Sequence, residues 1–341
     1  MSNWSFITHI TDYLARPNIG NQKAPTQWPS EATATVLNEH GEKGVTGKCR
    51  RQAYFRLLLD SFAFSDVFKI YEPLVSQLRL HMEDPDPYLR WIWRQGQLYE
   101  DFCVELAKEA GVFIAGQTQI YVPEINLSGK IDLVVINPST GMYHIVEVKS
   151  VYGFNANYVL GTPGERKKGN LGTPRDSHLM QLGLYQWWLG NSQPEQYGSG
   201  LLVYGARDTG RYAEYEVTVE EENGELFIFY KGNSPNKTEK VNSGLSINNI
   251  KDQYIYVNNC LLSGEIPERD FELSYSEEKL ELLCDRGELS KKDTEQFLKR
   301  KKQIEEGKTR LVKAVEKGDW QCRLCQYRNI CYSEDNKPIN L

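Results

Sequence analysis

The chain has 341 residues, 40% of them hydrophobic and 25% charged, with a net charge of −6. That is an ordinary globular composition, long enough for one large domain or two modest ones around a sizeable core. The acidic balance excludes a globally basic nucleic-acid coat, though not a local basic patch. No apolar run is long enough to span a bilayer, so no membrane partner is expected. The opening MSNWSFITHITDYL lacks the basic and apolar regions of a signal peptide, which predicts a cytoplasmic location. In that compartment seven cysteines read as thiols or metal ligands rather than disulfides, and the odd count argues the same way.

In chain order, residues 17–30 read as loop, with three prolines and a glycine. Residues 50–82 and 88–111 carry apolar side chains at spacings of three and four, which predicts helices separated by Pro85-Asp86-Pro87. From 118 to 149 the period falls to two and β-branched residues accumulate, which predicts strands. A helix is expected over about 176–189 with Asp176 as its N-cap, then a strand over 200–207. Further strands are expected over 211–257 and charged helices over 276–317. The order divides the chain into a helical N-terminal part (1–90), a compact α/β core with extra strands (91–275), and charged helices with a cysteine tail (276–341).

The segment SGKIDLVVINPSTGMYHIVEVKS (128–150) places two apolar runs around Pro138-Ser139-Thr140-Gly141, turn chemistry that predicts an antiparallel hairpin. Centred between Ser139 and Thr140, such a turn pairs residues whose numbers sum to 279, which sets Asp132 opposite Glu147. Opposed side chains lie roughly 4.5–5.5 Å apart at Cβ, close enough to share a divalent cation. Lys149 follows two residues after Glu147 on the same face. A bound cation would compensate carboxylates that strands this apolar bury only at high cost. The alternative is a surface ion pair of Lys149 with Asp132 or Glu147.

Two helical stretches flank the hairpin. Upstream, Gly96 and Glu100 share a helix face. Gly96 leaves room for an approach, and Glu100 is either a third oxygen ligand or a solvated glutamate. Downstream, Gln181 and Tyr185 lie four apart, with His178 near the same face. They either position a polar substrate or Lys149, or reflect ordinary amphipathicity.

Together, Asp132, Glu147-Val148-Lys149 and Gln181-x-x-x-Tyr185 resemble the RecB-like branch of the PD-(D/E)XK nuclease superfamily. Ile131 stands in place of the first proline of that name, and Glu100 in place of the branch's Gly-x-x-x-His histidine. The stretches GKCRRQAYF (47–55) and WQCRLCQYRNIC (320–331) resemble the two halves of an iron–sulfur nuclease module. That module occurs in CRISPR-associated RecB-like exonucleases, the AddB recombination subunit and eukaryotic helicase-nucleases. The resemblance implies a restriction-endonuclease-like α/β core, a central mixed sheet flanked by helices. It implies a metal-dependent DNA exonuclease acting on single strands or ends. In that reading Glu100, Asp132, Glu147 and the Val148 carbonyl hold Mg²⁺ or Mn²⁺, and Lys149 orients the water and offsets phosphate charge. Gln181 and Tyr185 position Lys149 or the DNA backbone. Cys49, Cys322, Cys325 and Cys331 hold a 4Fe–4S cluster that staples the two ends of the chain. CRISPR integrase or recombination proteins are the implied partners.

Thiolate softness alone suits zinc as well as iron–sulfur. Cys103, Cys260 and Cys284 have no partner pattern. Arg166, Lys167, Lys168 and Arg175 form a basic stretch that either contacts phosphates or is simply solvated. The run KRKK (299–302) reads as an exposed helix face. EKGVTGKC fails as a phosphate-binding loop, since Glu42 and Cys49 stand where Gly and Ser or Thr are required. A second functional reading is a DNA-end-binding adaptor that works mainly through partner proteins.

Overall fold

The computed structural model describes residues 25–38, 40–83, 87–162, 171–233 and 238–332, apart from the side chain of Asn191. Residues 17–24 of the expected loop, Pro85-Asp86, and the basic Arg166, Lys167 and Lys168 lie outside the described residues.

In chain order the elements are β1 (Thr33–Leu37), β2 (Lys43–Gly47), α1 (Arg50–Phe64), α2 (Glu72–His81), α3 (Pro87–Glu109), β3 (Phe113–Val122), β4 (Leu127–Ile136) and β5 (Tyr143–Val151). They continue with α4 (Phe154–Leu160), α5 (Asp176–Ser192), β6 (Gly200–Ala206), β7 (Tyr212–Glu222), β8 (Glu225–Gly232), β9 (Val241–Ser246) and α6 (Ile247–Ser263). The last are α7 (Glu277–Asp285), α8 (Lys291–Glu305), α9 (Trp320–Arg323) and α10 (Arg328–Cys331). Two compact units result, one drawn from Met1–Tyr71 and Asp84–Glu268, the other from Glu72–Glu83 and Arg269–Leu341. These divisions fall elsewhere than the three regions read from the sequence.

In the first unit, β3 to β9 form a seven-stranded sheet in sequential order. Every neighbouring pair is antiparallel except β5 and β6, which are parallel. A parallel pair needs a crossover, and α4 and α5 supply it. This is the mixed, helix-flanked sheet the sequence implied. One face buries Ile131, Ile145, Leu202, Tyr204 and Ala206 together with Leu179, Leu182 and Tyr185 of α5 and Ile250 and Tyr254 of α6. The other buries Leu133, Val146 and Val148 against Tyr99, Cys103, Val104 and Ala107 of α3. Each fully buried aliphatic side chain contributes about 1.5–3 kcal/mol.

Three elements differ from the expectation. The N-terminal part is not wholly helical, because β1 and β2 pair antiparallel ahead of α1. The Asn38 side chain accepts from the His40 and Glu42 N–H groups and closes that turn. Second, Asp176 is the first residue of α5 rather than its cap, which is Arg175. The Asp176 carboxylate accepts instead from the Thr46 hydroxyl at 2.9 Å. Third, the strands stop at Ser246, whose hydroxyl caps α6 by accepting from Asn249 N–H at 3.1 Å. Ile247, Ile250, Tyr254, Val257 and Leu261 of α6 are buried at helical spacing. Burial of that stripe overrides the local β preference of Ile255-Tyr256-Val257.

In the second unit, Leu280, Leu289 and Val315 form a small core. Glu83 N–H donates to the Gln326 carbonyl at 2.9 Å, and the Glu83 carboxylate pairs with Arg328 at 2.5 Å. The expected charged helices are α7 and α8. Helix ends at Glu305, and residues 308–319 carry none.

Candidate active site

The hairpin has the register read from the sequence. β4 and β5 pair from Leu133↔Val146 to Ile136↔Tyr143, all sums of 279. Asn137 holds the turn, its N–H donating to the Met142 carbonyl at 2.8 Å and its side chain accepting from Ser139 N–H.

Backbone pairing ends at Leu133, one step short of Asp132 and Glu147. On the opposite edge of β4 the ladder with β3 also passes over Asp132, joining Thr118↔Ile131 and Gly116↔Leu133. Gln117, the residue left out, adopts φ +51°, a left-handed conformation uncommon for a side-chain-bearing residue. Asp132 therefore sits at a break in both ladders. Its Oδ2 accepts from Val148 N–H at 2.9 Å. The hairpin register sets Asp132 and Glu147 side by side as expected, with a side-chain hydrogen bond between them, and Asp132 also takes the Val148 N–H that the ladder leaves over.

Glu147 is fully buried, and its Oε1 accepts from Lys149 Nζ. The Lys149 side chain is 23% exposed, so the ion pair is an internal one and the surface alternative does not hold. Glu147 Oε2 is buried and has no hydrogen-bond partner. An orphaned carboxylate oxygen of this kind is rare and calls for a missing partner.

The electrostatics join these groups. Burial, and then Asp132 and Glu100, push Glu147 up to about 8, against the pull of Lys149. Burial also raises Asp132, opposed by Lys149 and the Val148 N–H. Glu100 on α3 is held at about 7 by burial and by Asp132. Burial alone would lower the Lys149 ammonium, but Glu147, Asp132 and Glu100 outweigh it and raise its pKa. The four side chains thus act on one another. Cys103, which had no role in the sequence pattern, lies three residues after Glu100. Its thiol is pushed up to about 11 by burial and then by Asp132 and Glu100.

On α5, Gln181 and Tyr185 are both buried. The Tyr185 hydroxyl donates to the Lys130 carbonyl at 2.9 Å, and a side-chain hydrogen bond links it to Gln181. Tyr185 thus holds β4 two residues before Asp132. A side chain at Gly129 would meet that hydroxyl at 2.8 Å and Pro29 at 2.6 Å, so the clamp needs a glycine there. His178 Nδ1 lies 2.8 Å from the Tyr204 hydroxyl, which also accepts from Arg175 N–H. Tyr204 is the β6 partner of Lys149. Burial and then Lys149, Arg175 and Lys48 hold the His178 pKa well down, so its ring is neutral.

At Gly96 the fold itself leaves room for a side chain. A Cβ there would lie 3.7 Å from Ser150, ordinary contact. At Gly205 of β6 it does not, since a Cβ there would overlap the Tyr99 hydroxyl of α3. Only the tertiary fold brings these two together.

A model of the PD-(D/E)XK nuclease superfamily matches residues 48–332. The chain belongs to that superfamily. No curated protein matches it significantly. The seven-stranded mixed sheet is thus a PD-(D/E)XK fold, and membership supports a metal-dependent nuclease. A PD-(D/E)XK chain of this kind binds nucleic acid. No described helix is long and apolar enough to cross a membrane.

Among the described residues no group of three or more His, Cys, Asp or Glu side chains is gathered in position to hold a metal ion. The donor chemistry still fits Mg²⁺ or Mn²⁺, hard ions that take oxygen ligands. Asp132 and Glu147 supply anionic oxygens, and Glu147 Oε2 is the orphan an ion would satisfy. The expected cysteine ligands divide between the units. Cys49 precedes α1, whereas Cys322, Cys325 and Cys331 lie in or between α9 and α10. Cys322 and Cys331 both lie near Tyr332, whose hydroxyl is pushed up to about 12 by burial, then by Cys322 and, less strongly, Cys331. No disulfide forms among the seven cysteines, all of them described.

Proposed function

We propose that this PD-(D/E)XK chain is a metal-dependent DNA exonuclease acting on single strands or DNA ends. The orphaned, fully buried Glu147 Oε2 beside Asp132 and Lys149 carries the reading.

In this reading Glu100, Asp132, Glu147 and the Val148 carbonyl hold Mg²⁺ or Mn²⁺, which when bound supplies Lewis-acid polarisation of the scissile phosphate. Lys149 orients the attacking water and offsets charge that develops on the phosphate oxygens. Glu147 keeps the Lys149 ammonium charged and directed. Tyr185 and Gln181 fix β4 so that Asp132 meets the Val148 N–H. The neutral His178 and Tyr204 back Lys149 from the neighbouring strand.

A 4Fe–4S cluster on Cys49, Cys322, Cys325 and Cys331 belongs to the same proposal. It rests on the sequence resemblance. CRISPR integrase or recombination proteins as partners, and a cytoplasmic location, rest on the sequence alone. The decisive experiment is cleavage of end-labelled single- and double-stranded DNA with Mg²⁺, Mn²⁺ or EDTA. Metal-dependent shortening from one labelled end supports the exonuclease. Internal cutting contradicts the exonuclease assignment, and no cutting by iron-loaded protein favours the DNA-end adaptor.

A further inference from the structure

Past Lys149 the chain does something the fold itself does not require. β5 ends at Val151, and Tyr152 and Phe154 follow on either side of Gly153, which adopts φ +58°. Tyr152 is 63% exposed and Phe154 86%. Phe154 opens α4, which turns Ala156, Val159 and Leu160 into the core. Tyr158, four residues after Phe154 and therefore on the same helix face, is 53% exposed. Exposing three rings in seven residues is unfavourable unless something covers them.

The backbone that carries these rings is tied down. Arg207 N–H donates to the Val151 carbonyl at 3.0 Å, and Gly153 N–H to the Asp208 carboxylate at 3.1 Å. Arg211 reaches Asn157 at 2.9 Å. Thr173 N–H donates to the Tyr158 carbonyl at 3.0 Å, tying α4 to the segment that carries Arg175. Tyr158 also acts electrostatically on Tyr204, the β6 partner of Lys149. Tyr152 stands three residues along an extended chain from Lys149, roughly 10 Å.

The chemistry of the patch selects its occupant. Between Val151 and Tyr212 the large apolar side chains exposed among the described residues are Tyr152, Phe154, Tyr158 and Tyr212, all aromatic. A protein partner would take aliphatic side chains equally well, whereas nucleobases stack specifically on rings. Lys149 pairs with Tyr204 on β6, and Arg175 N–H donates to the Tyr204 hydroxyl, so two cationic residues lie alongside that could meet phosphates.

We propose that Tyr152, Phe154 and Tyr158 form a base-stacking platform that grips unpaired nucleotides beside the carboxylate site and makes the chain select single strands. The proposal rests on the nuclease reading above. In a duplex the base faces are already stacked on one another, so this platform has nothing to bind.

The test compares the full-length wild type with Tyr152→Ala/Phe154→Ala on end-labelled oligothymidylate and on an abasic oligomer of equal length. The double variant should cut oligothymidylate roughly tenfold or more slowly, at the rate wild type cuts the abasic strand. On the abasic strand the two proteins should be equal, and Phe154→Trp should retain the wild-type rate. Equal cleavage of oligothymidylate by both proteins, or an equal loss on both strands, overturns the platform. If wild type cuts neither strand, the nuclease reading fails instead. Fluorescence anisotropy with Ca²⁺ then decides the platform: weaker oligothymidylate binding by the double variant supports it, and unchanged binding overturns it.

Discussion

The carboxylate hairpin and the cysteine tail each bring residues proposed as metal ligands close together in the sequence, yet they are organised differently. In the hairpin a fully buried glutamate meets Lys149 directly, while Asp132 beside it is held by the Val148 N–H. In the tail, Cys322, Cys325 and Cys331 are only partly buried, and a half-exposed thiol imposes no such demand. The buried ion pair thus specifies its site through the fold, whereas partly buried thiols place a weaker demand on their surroundings.

The comparison can be broken at its strong end first. Lys149→Ala should slow metal-dependent cleavage by roughly 10²–10³-fold while the protein stays folded by circular dichroism. A variant that cuts at the wild-type rate removes the lysine from the proposed chemistry. At the tail, Cys322→Ser should lose bound iron, and Cys284→Ser in the same unit should keep it. Iron-free wild type purified without oxygen, with one zinc in its place, would transfer the cysteines to zinc.

Smaller effects test how the hairpin is held. Gly205→Ala should destabilise the chain by about 1–3 kcal/mol, because the new methyl overlaps Tyr99. Adding Tyr99→Ala should recover part of that loss in urea melts. Tyr185→Phe removes the bond to the Lys130 carbonyl and should cost about 1 kcal/mol, with a modest loss of cleavage.

A separate test is the pH dependence without divalent cations. Glu147 at about 8 and Glu100 at about 7 both stand above their ordinary 4.5. The folded chain therefore keeps protons that the unfolded chain has released. Their stabilising contribution is complete below pH 4.5 and is lost as pH rises through 7 to 8. In EDTA the melting temperature should fall by a few degrees across that window, and Glu147→Gln should flatten the fall.

What was legible in the sequence follows the range of the interactions. The hairpin register was readable because the turn and the alternation of β4 and β5 are local. The break at Asp132 was not, since it depends on the left-handed Gln117 of a third strand. Tyr185 stood out in the sequence, but its partner on β4 was hidden because α5 meets that strand only in the folded sheet. Gly205 carried no signal, because its constraint comes from a tyrosine on α3. The cap of α6 at Ser246 was written in the sequence, and the β-rich run after it masked the helical spacing.

The most direct test of the hairpin as the metal centre is Mn²⁺ titration calorimetry paired with DNA cleavage, on wild type, Asp132→Asn and Lys149→Ala. Asp132→Asn keeps an oxygen for the Val148 N–H but loses its charge, so it should lose both Mn²⁺ binding and cleavage. Lys149→Ala should bind Mn²⁺ at least as tightly as wild type and still fail to cut. Undiminished Mn²⁺ binding and cleavage by Asp132→Asn would contradict the account.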